Sequence, residues 1–120
     1  MVKCIKIKSE VNIVFANSKL EKIFNSQKLL QKEYGAQVKK IRIRMAVLGK
    51  APCLAFVPVK KPDRRHELTG NRKGKFSVDL KHPFRLVFEP VEKPVPKKED
   101  GGIDLEKVLS IRILAVEDYH

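Results

Sequence analysis

The residues best equipped for proton and phosphate chemistry stand far apart in this sequence. Asp118, Tyr119 and His120 close it, directly behind the apolar run "ILAV"; His66 follows the pair Arg64 and Arg65, and Arg85 sits inside the apolar "PFRLVF". Imidazole, with an unperturbed pKa of about 6.5, can take or give a proton near neutrality. A carboxylate can hold an imidazole in one tautomer, and a phenol can stack or hydrogen-bond. A guanidinium meets phosphate oxygens in a two-point contact without deprotonating. Each of these residues also has an ordinary role: the last three as a polar chain end, His66 as a solvated loop residue, Arg85 as the cross-strand partner of Glu89 or Asp79. His82, between Lys81 and Pro83, reads as a turn residue. The elements that position the side chains decide between these roles.

"VKCIKI" reads as a short strand, and the Asn17-Ser18 pair offers an N-cap to "KLEKIF", with Glu21 three residues after Ser18 in a capping-box pattern. From Ser26, the apolar positions Leu30, Tyr34, Val38, Ile41, Met45 and Leu48 form the stripe of one long amphipathic helix ending near Gly49 and Pro52. "PVKKPDRRHELTGNRKG" is polar and punctuated by Pro and Gly, hence a loop running into a turn. Alternation follows: Phe76, Val78 and Leu80, then Phe84, Leu86 and Phe88 across "KHP", the signature of a hairpin. Residues 90 to 106 hold three prolines and Gly101-Gly102 and read as a long exposed loop. A last strand, "VLSIRILAV", places Leu109, Ile111, Ile113 and Ala115 on one side. Successive strand side chains point to opposite faces. If the Phe76, Phe84 and Ile111 sets cover the core, Ser77, Arg85 and Arg112 share the other face, and the same register carried forward adds Asp118 and His120.

A chain of 120 residues with 42% hydrophobic content suits one domain with one core. Residues 1–120 are therefore expected to form a single α+β domain. The early apolar stretches are broken by lysines, and nothing approaches the roughly 20 apolar residues of a membrane span or the pattern of a signal peptide. The expectation is a cytoplasmic protein whose Cys4 and Cys53 are buried reduced thiols. Charge is unevenly placed. Of the 26 basic and 14 acidic residues, 16 and 4 lie in residues 1–65, so the whole net charge of +12 belongs to that half. Such a block suits a polyanion, nucleic acid above all, unless it is only a solvated face. Lys39, Lys40 and Arg42 are its candidates for RNA contact.

The order of strand, helices and antiparallel sheet, together with "HELTGNRKGKFSVDL", "PFRLVF" and the final "EDYH", resembles the RelE/HigB family of toxins, from about Ser18 to His120. The turn His-x-Leu-x-Gly-x-Arg-x-Gly combined with Asp-Tyr-His is similar to the HigB-like branch of the RelE/ParE superfamily. The resemblance implies a RelE-like fold, with a strand and a two-helix hairpin packed on a twisted antiparallel sheet. It also implies the toxin of a type II toxin-antitoxin system, an mRNA interferase that cuts messenger RNA on the translating ribosome without metal or other cofactor and is silenced by a cognate antitoxin. It implies catalytic roles for His66, Arg85, Asp118, Tyr119 and His120, with RNA contacts by Arg72 and Lys73. Thr69 stands where some relatives place a lysine, and the loop of residues 90 to 106 is longer than the tight hairpin of shorter members.

Metal-free cleavage of RNA needs a base at the ribose 2′-hydroxyl, an acid at the 5′-oxygen and fixed positive charge on the phosphoryl oxygens. His66 and His120 supply the two proton-transfer groups in either order. Arg85 supplies the charge with Arg72 as a weaker second, Asp118 orients an imidazole, and Tyr119 stacks on a base or bonds the phosphate. A zinc site of His66, Asp118 and His120 has no ligand spacing to support it. The rival is a non-catalytic member of the same fold, either a gyrase poison of the ParE type or an antitoxin-binding module.

Overall fold

The computed structural model describes residues 10–118; the strand expected in "VKCIKI", Tyr119 and His120 lie outside them. The chain opens with β1 (Asn12–Phe15), then α1 (Ser18–Phe24) and α2 (Gln27–Tyr34). Asn17 caps α1, its side chain accepting from the Leu20 amide at 2.8 Å, so the cap lies one residue before the expected Ser18 box. Ser26 caps α2 through the Leu29 amide. The single long helix expected from the apolar stripe is two. Gly35 breaks it at φ 48° and ψ −113°, a conformation glycine adopts without steric cost, and one 3₁₀ turn of residues 35–37 leads into α3 (Val38–Lys50). The stripe survives the break: Leu30, Ile41 and Leu48 are buried in one cluster, with Tyr34, Val38 and Met45 packed against it.

Strands β2 (His66–Glu67), β3 (Phe76–Asp79), β4 (Phe84–Pro90) and β5 (Ser110–Asp118) complete a five-stranded sheet in the order β1-β5-β4-β3-β2. Among the described residues only the β1-β5 pairing is parallel. This is the α+β architecture expected from the sequence. One face of the sheet takes Phe76, Val78, Leu86, Phe88, Ile111 and Ile113 into a core closed by the helices. Burying a core phenylalanine or isoleucine contributes roughly 1.5–3 kcal/mol each, which is why the hairpin pattern is obeyed so closely. The Phe76 and Phe88 rings stack at 6.1 Å across the strands.

Two departures bear on the site. Strand β5 contains a bulge: Val87 faces Ala115 while Phe88 faces Ile113, so Leu114 is an extra residue. Beyond it the parity of the strand reverses. Val116 packs on the core, and Glu117 comes opposite Arg85. Asp118, expected on the polar face, is instead the register partner of Phe84. The segment expected as an exposed loop is also only partly so. Lys97 and Ile103 form an isolated bridge, residues 105–107 make a 3₁₀ turn, Ile103 and Leu105 pack against the core, and Val108 is buried.

Arg44, buried in α3, donates to the carbonyls of Asp79 at 2.6 Å and Pro62 at 3.1 Å and pairs with Asp63 at 3.6 Å. It thereby ties the segment before β2 to β3. Cys53 is fully buried and disulfide-bonded, not the reduced thiol expected. Among the described residues no helix is long and apolar enough to cross a membrane.

Candidate catalytic face

The sheet face away from the core carries two rows of side chains. Register puts His66, Ser77, Val87 and Ala115 in one row and Asp79, Arg85 and Glu117 in the next, two residues along each strand. Residues two apart in a strand share a face, so His66 and Arg85 stand on one surface. At ordinary strand spacings they are roughly 12 Å apart between Cα atoms. Ser77 and Val87 are fully buried within these rows.

His66 is placed by the backbone before it. Arg64 has φ 48°, the one positive value outside glycine among the described residues, a strained conformation that persists only where its surroundings hold it. They do: the Arg64 guanidinium meets Asp79 Oδ2 at 3.0 Å, its amide donates to Lys60 O, and Arg65 donates from Nε to Val57 O at 2.9 Å. Burial pushes the Arg65 guanidinium below its ordinary pKa. The Arg64 carbonyl lies 3.1 Å from His66 Nδ1. A carbonyl only accepts, so Nδ1 carries the hydrogen in this contact, and the neutral ring keeps its lone pair on Nε2. That nitrogen faces Ser77 Oγ in a long 3.5 Å contact.

Glu117 organises the other end. Arg72, from the 3₁₀ turn of residues 70–72, donates from both terminal nitrogens to the Glu117 oxygens at 2.6 and 2.9 Å, and Arg85 reaches Oε1 at 3.1 and 3.3 Å. Hydrogen bonding from Arg72, then from Arg85, holds the Glu117 carboxyl below its ordinary pKa, and the same bond raises that of Arg72. Two guanidiniums gripping one carboxylate show that Arg72 and Arg85 together can hold an oxyanion. Arg112, on the same face, pairs with Glu89 at 2.9 Å.

The structure thus brings together His66, Arg85 and Arg72 from the sequence-expected set. Lys73 caps the 70–72 turn and is exposed. Lys39, Lys40 and Arg42 lie on α3, which packs against the core face, so they do not join His66. Asp118 stands in register with Phe84, and Tyr119 and His120 fall outside the described residues. Among the described residues no three His, Cys, Asp or Glu side chains are grouped to hold a metal. Sequence reasoning missed Glu117. Its own signal was present, an acid next to Asp118 at the end of an alternating strand, but the bulge that turns it to the face was not.

No family model matches the sequence, and no curated protein does. Among solved structures the chain is similar to a YoeB/ParE toxin from Agrobacterium tumefaciens, 12% identical, with a TM-score of 0.54 over 91% of this chain and 99% of that one. That likeness defines the class of fold, α+β with the sheet and helices arranged as in that toxin.

Proposed function

We propose that the chain is the toxin of a type II toxin-antitoxin pair, a RelE/ParE superfamily member of the HigB-like branch that cuts messenger RNA on the ribosome in the cytoplasm. The observation that carries the proposal is the shared face: His66, with its ring tautomer set by the Arg64 carbonyl, on the same surface as Arg85 and Arg72. The likeness of fold to a protein named a toxin supports it.

The ribose 2′-oxygen attacks the adjacent phosphorus. A P–O2′ bond forms and the P–O5′ bond breaks, leaving a 2′,3′-cyclic phosphate and a free 5′-hydroxyl. One group removes the 2′ proton and another protonates the 5′-oxygen. His66 Nε2 is available for one of these transfers, and His120 is assigned the other from the family resemblance. Arg85 and Arg72 meet the phosphoryl oxygens, exchanging Glu117 for the substrate's own charge. Such fixed donors are commonly the largest catalytic contribution. Tyr119 keeps the stacking role expected of it, whereas Asp118, in register with Phe84 on the core side of β5, is not assigned the orienting role. Lys73, Lys39, Lys40 and Arg42 contact RNA, and a cognate antitoxin completes the pair.

One observation favours the non-catalytic alternative of a gyrase poison: Glu117 already pairs with both Arg72 and Arg85. Brief induction separates the two. Mapping RNA ends with and without translation should show cuts inside translated frames bearing cyclic or 3′-phosphates. His66→Ala and Arg85→Ala should each reduce cutting by about 10²- to 10⁴-fold while remaining folded. Intact messages with inhibited supercoiling would overturn the nuclease and favour the gyrase reading.

A further inference from the structure

Arg64 is the one described residue other than glycine with a positive φ, at 48°. An arginine gains nothing from that backbone, which glycine would hold without steric cost. A strained residue whose type does not suit its conformation points to a use for its side chain. That side chain is on the face of His66. Asp63 O accepts from the Asp79 amide at 2.8 Å, so the chain ahead of β2 stays alongside β3, and the Arg64 guanidinium reaches Asp79 Oδ2 at 3.0 Å. Asp79 is the cross-strand partner of Arg85, which is in turn the partner of Glu117. Cations and carboxylates therefore alternate across the outer face in the order Arg64, Asp79, Arg85, Glu117. One strand separates each from the next, which puts Arg64 roughly 10 Å from Arg85 at ordinary spacings.

Stability does not explain Arg64. Its side chain is 46% exposed, and an exposed ion pair contributes little. The Asp79 bond uses one of the five N–H donors of a guanidinium, and Nε and the second terminal nitrogen make no hydrogen bond among the described residues. The surroundings are basic. The Arg64 amide closes a turn onto Lys60 O, and Lys60 and Lys61 in that turn are exposed, while Asp63 is buried against Arg44. A guanidinium with donors to spare, lysines on one side and Arg85 two strands away on the other suits a run of phosphates along one nucleic-acid strand.

We propose that Arg64 binds the RNA phosphate next to the one being cut, releasing Asp79 to do so. The inference rests on the nuclease reading of this face and extends it by one residue and one nucleotide. Because the Arg64 carbonyl meets His66 Nδ1, the residue that holds the neighbouring phosphate also holds the imidazole, so seating the strand and orienting the ring are coupled.

The test follows cutting of a message on programmed ribosomes, and binding of the same message methylated at the 2′-oxygen of the cut, which cannot react. Arg64→Gly keeps the carbonyl and relieves the backbone while removing the guanidinium. It should match wild type in urea and raise KM about tenfold, with kcat nearly unchanged, the pattern of a contact made equally in ground and transition states. The salt dependence of binding should lose one phosphate contact, ~0.7 in the logarithmic slope. Arg64→Lys should restore that slope, and Asp79→Asn, which frees Arg64 from its carboxylate, should bind at least as tightly as wild type. If wild type cuts and Arg64→Gly leaves KM and slope unchanged, the nuclease reading stands and this inference is lost. A fall in kcat at constant KM would make Arg64 only a support for His66, and instability shared by Arg64→Gly and Asp79→Asn would make the pair a structural tie; either result overturns the proposal. A wild-type chain that neither cuts nor binds would overturn the nuclease reading and this inference with it.

Discussion

Glu117 holds two guanidiniums with one carboxylate, and its ionisation therefore sets how the outer face responds to acid. Its folded pKa is depressed, chiefly by the Arg72 hydrogen bond. The stability this supplies is fully present above the ordinary carboxylate value of 4.5 and is lost as pH falls through the lower folded value. Glu117→Gln should thus be less stable than wild type near neutrality, by on the order of 1 kcal/mol for a partly exposed pair. The gap should close in acid. Urea unfolding of both proteins at about pH 7 and about pH 3 reads it directly, and a gap independent of pH would trace the loss to packing instead. Residue type left His66 and Arg85 with ordinary roles beside the chemical ones, and it was the resemblance to the RelE/HigB family that singled them out together with Arg72. Glu117 was not legible. Ile113, Leu114 and Ala115 are all apolar, so no break in the alternation marks the extra residue that exchanges Asp118 for Glu117 on the face.

At the scale of elements, α3 fixes the segment that delivers His66 through a single buried side chain. Arg44 satisfies two backbone carbonyls, while Asp63 Oδ1 is buried and makes no hydrogen bond of its own. Arg44→Met would leave that carboxylate buried without its cation, a loss of about 3–5 kcal/mol. Adding Asp63→Asn to Arg44→Met should recover part of it, as chemical denaturation would show; a double variant no better than the single would place the cost in the lost carbonyl bonds. Gly35 is the second point of leverage. Gly35→Ala must force a side chain into φ 48°, ψ −113° and should cost roughly 1–3 kcal/mol, measurable by thermal melting and absent if the helix pair can rejoin there. This break escaped the sequence pattern because the 3₁₀ turn preserves the phase of the apolar stripe. The hairpin was legible because Phe76 and Val78, then Phe84, Leu86 and Phe88, recur at every second residue across a short turn, although Ser77 and Val87 on the other face are buried as well. The pairing of β1 with β5 was not, since nothing local in either strand names a partner so distant.

Over the whole molecule, the basic residues of α3 and the His66 face lie on opposite sides of the sheet, so the proposed function separates docking from chemistry. Reversing Lys39, Lys40 and Arg42 to Glu should weaken association with ribosomes and flatten its salt dependence, because every phosphate left unneutralised keeps its counterions and so withholds its share of the release that drives binding. An unchanged salt slope would make those charges a solvated face. The position of β5 carries a further consequence, for synthesis. It lies between β1 and β4 and joins the earliest described strand to the hairpin. Until it emerges from the exit tunnel, β1 and β4 each have an unsatisfied edge, and the Glu117 carboxylate that grips Arg85 has yet to be made. Pairings of such long sequence separation form late and slowly. A nascent chain halted before residue 110 would therefore expose both strand edges and lack the carboxylate that joins Arg72 to Arg85.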